Sequence, residues 1–508
     1  MGTIRKDRAN GGPRGGSGPT RAKPVGAKGP DGAKPKKPGA TGPGAGGRRA
    51  GRGGAALPRG PQALPREQVA AYQRERLFKA MVECVYEQGY VASTISELVA
   101  RARISRRSFY EHFDNKDECL LATYDTVLER LLRRLQGAVA QGTSNEWSEQ
   151  LEALVRALFD AAGDRPDAAR LVCVEMGAAG PAGVQRWAEG AEQLQRFIVE
   201  GFAQAPGPGT VPDPVARAIV GALRKILHTR VRGARSSKSL KADLAELVPD
   251  LLGWVACYYP SPEGLPLRPR ARRARGAGAQ IGGRAPGTLS APSLSGGRGL
   301  PRGEHNLPRG FVTHNQRERI FDAIANLTAA RGYPALSLDD VAAEAAVSLQ
   351  TFYAHFAGKE DAFIATYETG HARAMAVINQ TLAHQSSWVG AVRAGVQALL
   401  ELLACEPSYA HLACVDVMVA YPHMAQRANE ANDFYAGLLD LRTTPDAPSL
   451  GPAPVVGEAI VGGVFELLHD YVLRGQTRRL PELTDHVVYI ALAPFMGAQA
   501  AWQAIAEA

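Results

Sequence analysis

Apolar residues Leu77, Phe78, Met81, Val82 and Val85 recur at three- and four-residue steps, the spacing that lays one stripe along an α-helix. The stripe returns as Ile320, Phe321, Ile324 and Leu327. These patterns predict helices over about 67–88 and 311–331, ended by Gly89 and Gly332. Thr94-Ile95-Ser96-Glu97 then reads as a capping box, in which hydroxyl and carboxylate satisfy free amides at a helix start. Ser337-Leu338-Asp339-Asp340 takes its place further on. A short helix over 95–102 and a new one starting at the cap Ser105, after only Arg103-Ile104, make a helix-turn-helix whose second helix is the groove-reading element. There Phe109 and Phe113 share the inward face at i,i+4 spacing, leaving Arg106, Arg107, Ser108, Tyr110 and His112 outward. In the second copy Phe352 and Phe356 face in, and Leu349, Gln350, Thr351, Tyr353 and His355 face out from the cap Ser348. Lys116 and Lys359 open the following helices, placed to meet a phosphate.

The two stretches are copies. Residues 73–124 recur without a gap as 316–367, at an offset of 243. At an offset of 241, Leu171, Cys173, Val174, Pro181, Gln185 and Arg186 fall on Leu412, Cys414, Val415, Pro422, Gln426 and Arg427. Ala218-Ile219-Val220-Gly221 and Leu227-His228 fall on Ala459-Ile460-Val461-Gly462 and Leu468-His469. A two-residue drift over that distance means that a whole helical body was duplicated together with the motif. The bodies continue in amphipathic stretches over 216–231, 244–258, 460–472 and 486–500.

A chain of 508 residues exceeds one ordinary core, and two bodies of roughly 190 residues fit the usual domain size. The division is a tail (1–66), a helix-turn-helix domain (67–124), a body (125–260), a linker (261–310), a second helix-turn-helix domain (311–367) and a second body (368–508). The net charge of +9 is unevenly spread: the tail carries +13 and the linker +7, which leaves −11 for the two bodies. Tail and linker are rich in Gly, Pro, Ala and Arg, a composition expected to stay disordered and to seek phosphates diffusely. No uninterrupted apolar run approaches the roughly 18 residues of a membrane span, and the start lacks a signal peptide's apolar stretch. No membrane partner is therefore expected. Six cysteines without a C-x-x-C pair suit a reducing cytoplasm.

Taken as a set, the capped helix, the tight turn, Ser105-Arg106-Arg107-Ser108-Phe109-Tyr110-Glu111-His112-Phe113 and the Lys116-Asp117 step resemble the TetR family of transcriptional regulators, as do residues 348–360. The resemblance implies an all-α fold of two tandem units, each a three-helix DNA-binding domain followed by a ligand-binding and dimerising body. It implies DNA contacts from Thr94, Ser105, Arg106, Arg107, Ser108, Tyr110, His112 and Lys116, and from Ser337, Ser348, Leu349, Gln350, Thr351, Tyr353, His355 and Lys359. Tyr110, Tyr353 and the two lysines would hold the backbone, while the other helix residues read bases. Two departures stand out: Arg103 and Ala346 occupy a turn position that is usually Gly, and most members carry one module and pair as homodimers.

The resemblance also implies a small-molecule effector. Cys173, Met176, Trp187 and Phe197, then Trp388, Tyr409, Cys414, Met418, Phe434 and Tyr435, are apolar enough to line a pocket for an apolar ligand. Cys405, His411, Cys414 and Asp416 lie close in sequence, but Arg170 replaces the histidine in the first body; no metal or cofactor is expected. No nucleophile elbow, Walker loop, dinucleotide fingerprint or zincin motif is present, so no enzyme is expected. The reading is a cytoplasmic, nucleoid-associated regulator of a double-stranded operator, a repressor by family expectation. The alternative is a ligand-independent architectural protein using the basic tail and linker. Small residues such as Gly221, Gly462 and Gly463 would let the last helices pair closely, either within one chain as a pseudodimer or between two chains.

Overall fold

The computed structural model describes residues 65–141, 147–203, 211–259, 308–417, 424, 427, 430–431, 435–437 and 453–507. Among them every regular element is helical. The first half runs α1 (Arg66–Gln88), α2 (Ile95–Ala102), α3 (Arg106–Tyr110), α4 (Lys116–Gln141), α5 (Trp147–Asp164), α6 (Pro166–Arg170), α7 (Gly180–Ala203), α8 (Asp213–Gly233) and α9 (Ser237–Ala256). A π-turn (Leu171–Glu175) and a 3-10 turn (Met176–Ala179) join α6 to α7. The second half repeats the order: α10 (Arg309–Arg331), α11 (Leu338–Glu344), α12 (Leu349–His355), α13 (Lys359–Leu382), α14 (Trp388–Cys405), α15 (Pro407–His411), a π-turn (Leu412–Asp416), α16 (Pro454–Leu473), α17 (Thr484–Met496) and α18 (Ala498–Glu507). Helix α10 begins inside the stretch read as linker, because Pro308 supplies a start with a fixed φ. The other tail and linker expectations lie outside the described residues, as do Met418 and Phe434.

Helix α14 is 18 residues long with mean hydropathy 1.4, long and apolar enough to cross a membrane by length and composition. The one-run test on the sequence misses it because Arg393 and Glu401 interrupt the run. In this fold the helix is a wall of the second body: Trp388, Ala391, Gly395, Leu400 and Leu403 are buried, and Arg393 pairs with Asp485 at 2.8 Å.

Helices α8 and α9 of the first body meet α16 and α17 of the second across the duplication, with α8 lying along α16. Glycines set the approach. A Cβ at Gly463 would sit 2.6 Å from the Ala218 carbonyl, one at Gly462 would sit 2.9 Å from Lys225 Cβ, and one at Gly221 would collide with Glu466. Between α8 and α16 the signs of charge are segregated by helix, although beside them Arg474 of the second body pairs with Glu192 of the first in the opposite sense. Arg217 pairs with Asp470 at 2.8 Å, Arg224 with Glu466 at 2.8 Å and Arg230 with Glu458 at 2.9 Å. Both side chains of the central pair are about nine-tenths buried, where unpaired charge is costly. Tyr258 at the end of α9 receives a hydrogen bond from Trp254 and donates one to the Ile490 carbonyl of α17, each at 2.8 Å.

Equivalent histidines lie in this region. His469 is buried edge-on against Trp187, 5.5 Å between ring centroids. Burial pushes His228 down from 6.5 to about 3, helped by the nearby cations Lys225 and Arg232, and burial likewise lowers His469. A folded pKa below the unfolded one means that the unfolded chain takes up protons first as the solution acidifies. The stability from neutral His228 is thus complete above about pH 6.5 and is lost as pH falls toward 3. Between pH 7.5 and pH 5, His228 should cost the fold ~2 kcal/mol. Urea unfolding at both pH values should show that loss, and His228→Gln should flatten it; a slope unchanged by the substitution refutes the assignment.

Candidate nucleic-acid interface

Each reading helix is positioned by local hydrogen bonds that the sequence dictates. In the first module the Thr94 hydroxyl accepts from the Glu97 amide at 3.3 Å, and the Glu97 carboxylate accepts from the Thr94 amide at 2.9 Å, so α2 starts on a complete capping box. These bonds, the backbone one first, hold the Glu97 carboxyl below its usual range. Ser337 caps α11 with the same hydroxyl contact, 3.1 Å from the Asp340 amide. Ser105 and Ser348 cap α3 and α12, accepting from Ser108 and Thr351 amides at 2.9 and 3.0 Å. The hydroxyls of Ser108 and Thr351 close back on those caps at 3.0 and 2.9 Å.

The turn before each reading helix carries backbone strain. Arg103 (φ 50°) and Ala346 (φ 48°) are the non-glycine residues with positive φ among those described. The missing glycine therefore leaves the turn geometry intact and adds a left-handed penalty instead. A cation from the first helix of each module braces the strained residue: Arg76 donates to the Arg103 carbonyl at 3.3 Å and Arg319 to the Ala346 carbonyl at 2.6 Å.

Beneath the reading helices Phe109 and Phe113, like Phe352 and Phe356, are buried. The guanidinium of Arg74 lies 5.2 Å from the Phe113 ring and that of Arg317 5.0 Å from the Phe356 ring. Arg106, Arg107 and Tyr110 are exposed on α3, and Leu349, Gln350 and Tyr353 on α12. Tyr353 is 56 % and Tyr110 47 % exposed, large for aromatic rings that their own module leaves uncovered. Arg106 leans over the Tyr110 ring at 5.9 Å, and Arg107 pairs with Glu111 at 3.3 Å.

Two expected outward groups face inward. His112 Nε2 shares a hydrogen bond with the Gln73 side chain at 2.9 Å, and His355 repeats it with Gln316 at 3.0 Å. Each bond ties the reading helix to the first helix of its module, and burial lowers the pKa of both rings, with Arg74 and Arg317 adding to it. Period alone placed these rings outside because α3 and α12 end near them and the chain turns. The lysines are clamped too. Lys116 donates to the carbonyls of Tyr90 and Ser93 at 3.0 and 2.9 Å and sits 4.1 Å over the Tyr90 ring. Lys359 donates to Tyr333 and Leu336 at 3.5 and 3.0 Å. Burial lowers Lys116 from its usual value. Two of three ammonium donors of each lysine are spent inside the module.

The sequence reading missed the joint between each module and its body. In the first half, Glu175 accepts from the Tyr90 amide and from Arg170, both at 3.0 Å. In the second half, Asp416 accepts from the Tyr333 amide at 3.2 Å and bonds His411 at 2.6 Å. The signal was available: both acids fall on one register of the repeat, at the π-turn, opposite the Gly-Tyr step. His411 and Asp416 therefore serve each other, and among the described residues no group of three His, Cys, Asp or Glu gathers for a metal.

The pocket candidates divide. Cys173, Trp187 and Phe197 line a void of about 60 Å³ in the first body, and Trp388 and Tyr435 line one of about 160 Å³ in the second. Met176 instead packs into the core under α1. Tyr409 is buried where Gly370 leaves room for its ring, and Cys414 is buried in the core of the second body. All three are drawn in by the π-turn region that seats each module on its body.

The family model for bacterial regulatory proteins of the tetR family matches twice, at residues 77–123 and 320–366. Both modules belong to the TetR family. The matched segments are those carrying the caps, the strained turns and the reading helices. Among solved structures, the fatty acid degradation regulator FadR from Bacillus halodurans shares 18 % identity, covering 36 % of this chain and 95 % of that one, with a TM-score of 0.32. FadR from Bacillus subtilis in complex with stearoyl-CoA shares 19 %, covering 36 % and 96 %, with a TM-score of 0.31. A TetR-like regulator from Rhodococcus sp. RHA1 shares 20 %, covering 37 % and 96 %, with a TM-score of 0.29. The chain thus carries two DNA-binding segments of TetR type in tandem.

Relieving the strained turn should strengthen a TetR module without touching its reading surface. Ala346→Gly is expected to raise stability by about 1 kcal/mol, the typical left-handed penalty less the entropy a glycine adds. Chemical denaturation measures it; a loss of stability would show that the left-handed backbone carries no cost at this site.

Proposed function

We propose that the chain is a cytoplasmic, nucleoid-associated, ligand-responsive repressor that reads one asymmetric operator as a single-chain pseudodimer. The observation that carries this is the sign-segregated seam between the bodies, cations on α8 and acids on α16. Superposing like on like sets Arg230 against Arg217 and Arg224 against Lys225 in a pairing of two first bodies, and Glu458 against Asp470 in a pairing of two second bodies. Like charges facing each other at a partly desolvated seam disfavour both symmetric pairings. Unlike bodies pair best, and one chain supplies both.

The reading surfaces then differ by half-site. Arg106 and Arg107 are suited to guanine edges, Gln350 to adenine and Leu349 to a thymine methyl. Tyr110 and Tyr353 offer hydroxyls to phosphates. Ser105, Ser348, Thr94 and Ser337 act as caps that hold their helices, with Ser108 and Thr351 beside them at the edge of the surface. His112, His355, Lys116 and Lys359 fix the angle at which each helix is presented. The apolar linings of the bodies favour an uncharged apolar effector, whose binding would shift the seam and with it the separation of the two helices.

Selection from random DNA, footprinting and light scattering test the reading together. A monomeric mass with unlike half-sites is expected. Arg106→Ala should cost about 1–3 kcal/mol and relax one half-site only, and Gln350→Ala the other. A dimeric mass on a perfect palindrome would sink the pseudodimer. Glu466→Lys should break the monomer's pairing and weaken specific binding at least tenfold; binding that survives it unchanged would show that the seam is not used on DNA.

A further inference from the structure

The two body cavities occupy equivalent positions in the duplication, yet they have diverged. Leu154, which fills the first, corresponds to Gly395 in the second; Arg224 corresponds to Phe465, and Leu194 to Tyr435. In the first body this equivalent cavity keeps about 60 Å³, with the Arg224 guanidinium lying 3.2 Å over the Trp187 ring and tied to Glu466; the wider space of about 480 Å³ beside it is walled by Glu75, Lys79, Arg130, Arg134, Arg165 and Asp167, a charged lining unsuited to an apolar molecule. That arginine cannot swing aside without breaking a buried ion pair. The equivalent cavity of the second body keeps about 160 Å³, and among the described residues its lining contains no Asp, Glu, Lys, Arg or His. Gly395 opens this space: a Cβ there would meet only Leu382 and Ile378, at 3.5 and 3.6 Å.

We propose that the effector binds the second body alone, as one small, neutral, apolar molecule per chain. This rests on the ligand-responsive reading above. Apolar voids of about 150 Å³ stay dry and admit a benzene-sized molecule. An ionised head would find no counter-charge among the described lining residues, and burying it unpaired is prohibitive. The cavity is also wired to the seam. Phe465 and Leu468 line it, and between them on the same helix Glu466 reaches out to Arg224 of the first body. Occupancy of one cavity therefore acts on the contact that both reading helices share, while the first body receives the signal without a ligand of its own.

Calorimetric titration of the full chain with toluene and p-xylene, against benzoate as the charged control, tests the proposal. One molecule of either hydrocarbon per chain and no benzoate binding are expected. Gly395→Leu places an isobutyl group in the void and should weaken binding at least tenfold; Ala391→Val, a smaller filling of the same wall, should weaken it in the same direction and guards against a misfolded first variant. Val172→Leu, beside the first cavity, should leave binding unchanged. Two molecules per chain, or binding lost in Val172→Leu and kept in Gly395→Leu, would overturn the proposal while leaving a ligand-responsive regulator standing. Benzoate binding as tight as toluene would overturn the neutral class. If neither hydrocarbon binds the folded chain, both the location and the ligand-responsive reading fail.

Discussion

The buried Arg224–Glu466 pair, flanked by Arg217–Asp470 and Arg230–Glu458, constrains everything built on the two bodies. Two charges nine-tenths buried are costly to desolvate, and their attraction offsets that cost only if geometry is good. The glycines supply the geometry. Gly221 lies against Glu466, and Gly462 against Lys225, positions that are equivalent in the repeat. Close backbone approach and opposite sign therefore arise at the same places. A helix pair with larger residues would hold the charges too far apart, and one with like signs would not close. This makes the seam a device for choosing a partner more than a store of stability.

A fixed seam is useful to DNA recognition only if the reading helices are rigid with respect to it. The structure builds that rigidity from short links in series. Glu175 and Asp416 hold the start of each Gly-Tyr segment to the body, Lys116 and Lys359 hold the same segment to the next helix, and His112 and His355 tie each reading helix to the first one. Each link satisfies a polar group that would otherwise be buried without a partner. One strained turn per module is the exception, and the arginine brace on its carbonyl marks where the chain stores strain.

Much of this was legible from spacing. The caps at Thr94, Ser105 and Ser348, the inward phenylalanines and the helix limits follow from local rules, because a helix end or a stripe depends on neighbours in sequence. The groups that periodicity misplaced, His112 and His355, sit at helix ends, where an outward angle on the wheel no longer means solvent. Met176, Tyr409 and Cys414 read as pocket candidates because composition cannot separate a void from a packed core. Glu175 and Asp416 went unread for a different reason: their partners lie 83 to 85 residues away, and only the fold brings them together.

Duplication within one chain removes a restriction that two-fold symmetry imposes. In a homodimer every substitution appears on both sides of the seam, so an arginine gained at one position meets its own image nearby, and a sign-segregated interface cannot evolve stepwise. Once the halves are separate stretches of one sequence, Arg217 and Glu458, or Lys225 and Glu466, can take opposite charges at equivalent positions. The same freedom lets Leu154 narrow one cavity while Gly395 keeps the other open, and lets α3 expose Arg106-Arg107 where α12 exposes Leu349-Gln350. Seam, cavity and exposed helix face thus differ between the halves at equivalent positions, a divergence that two identical subunits could not carry.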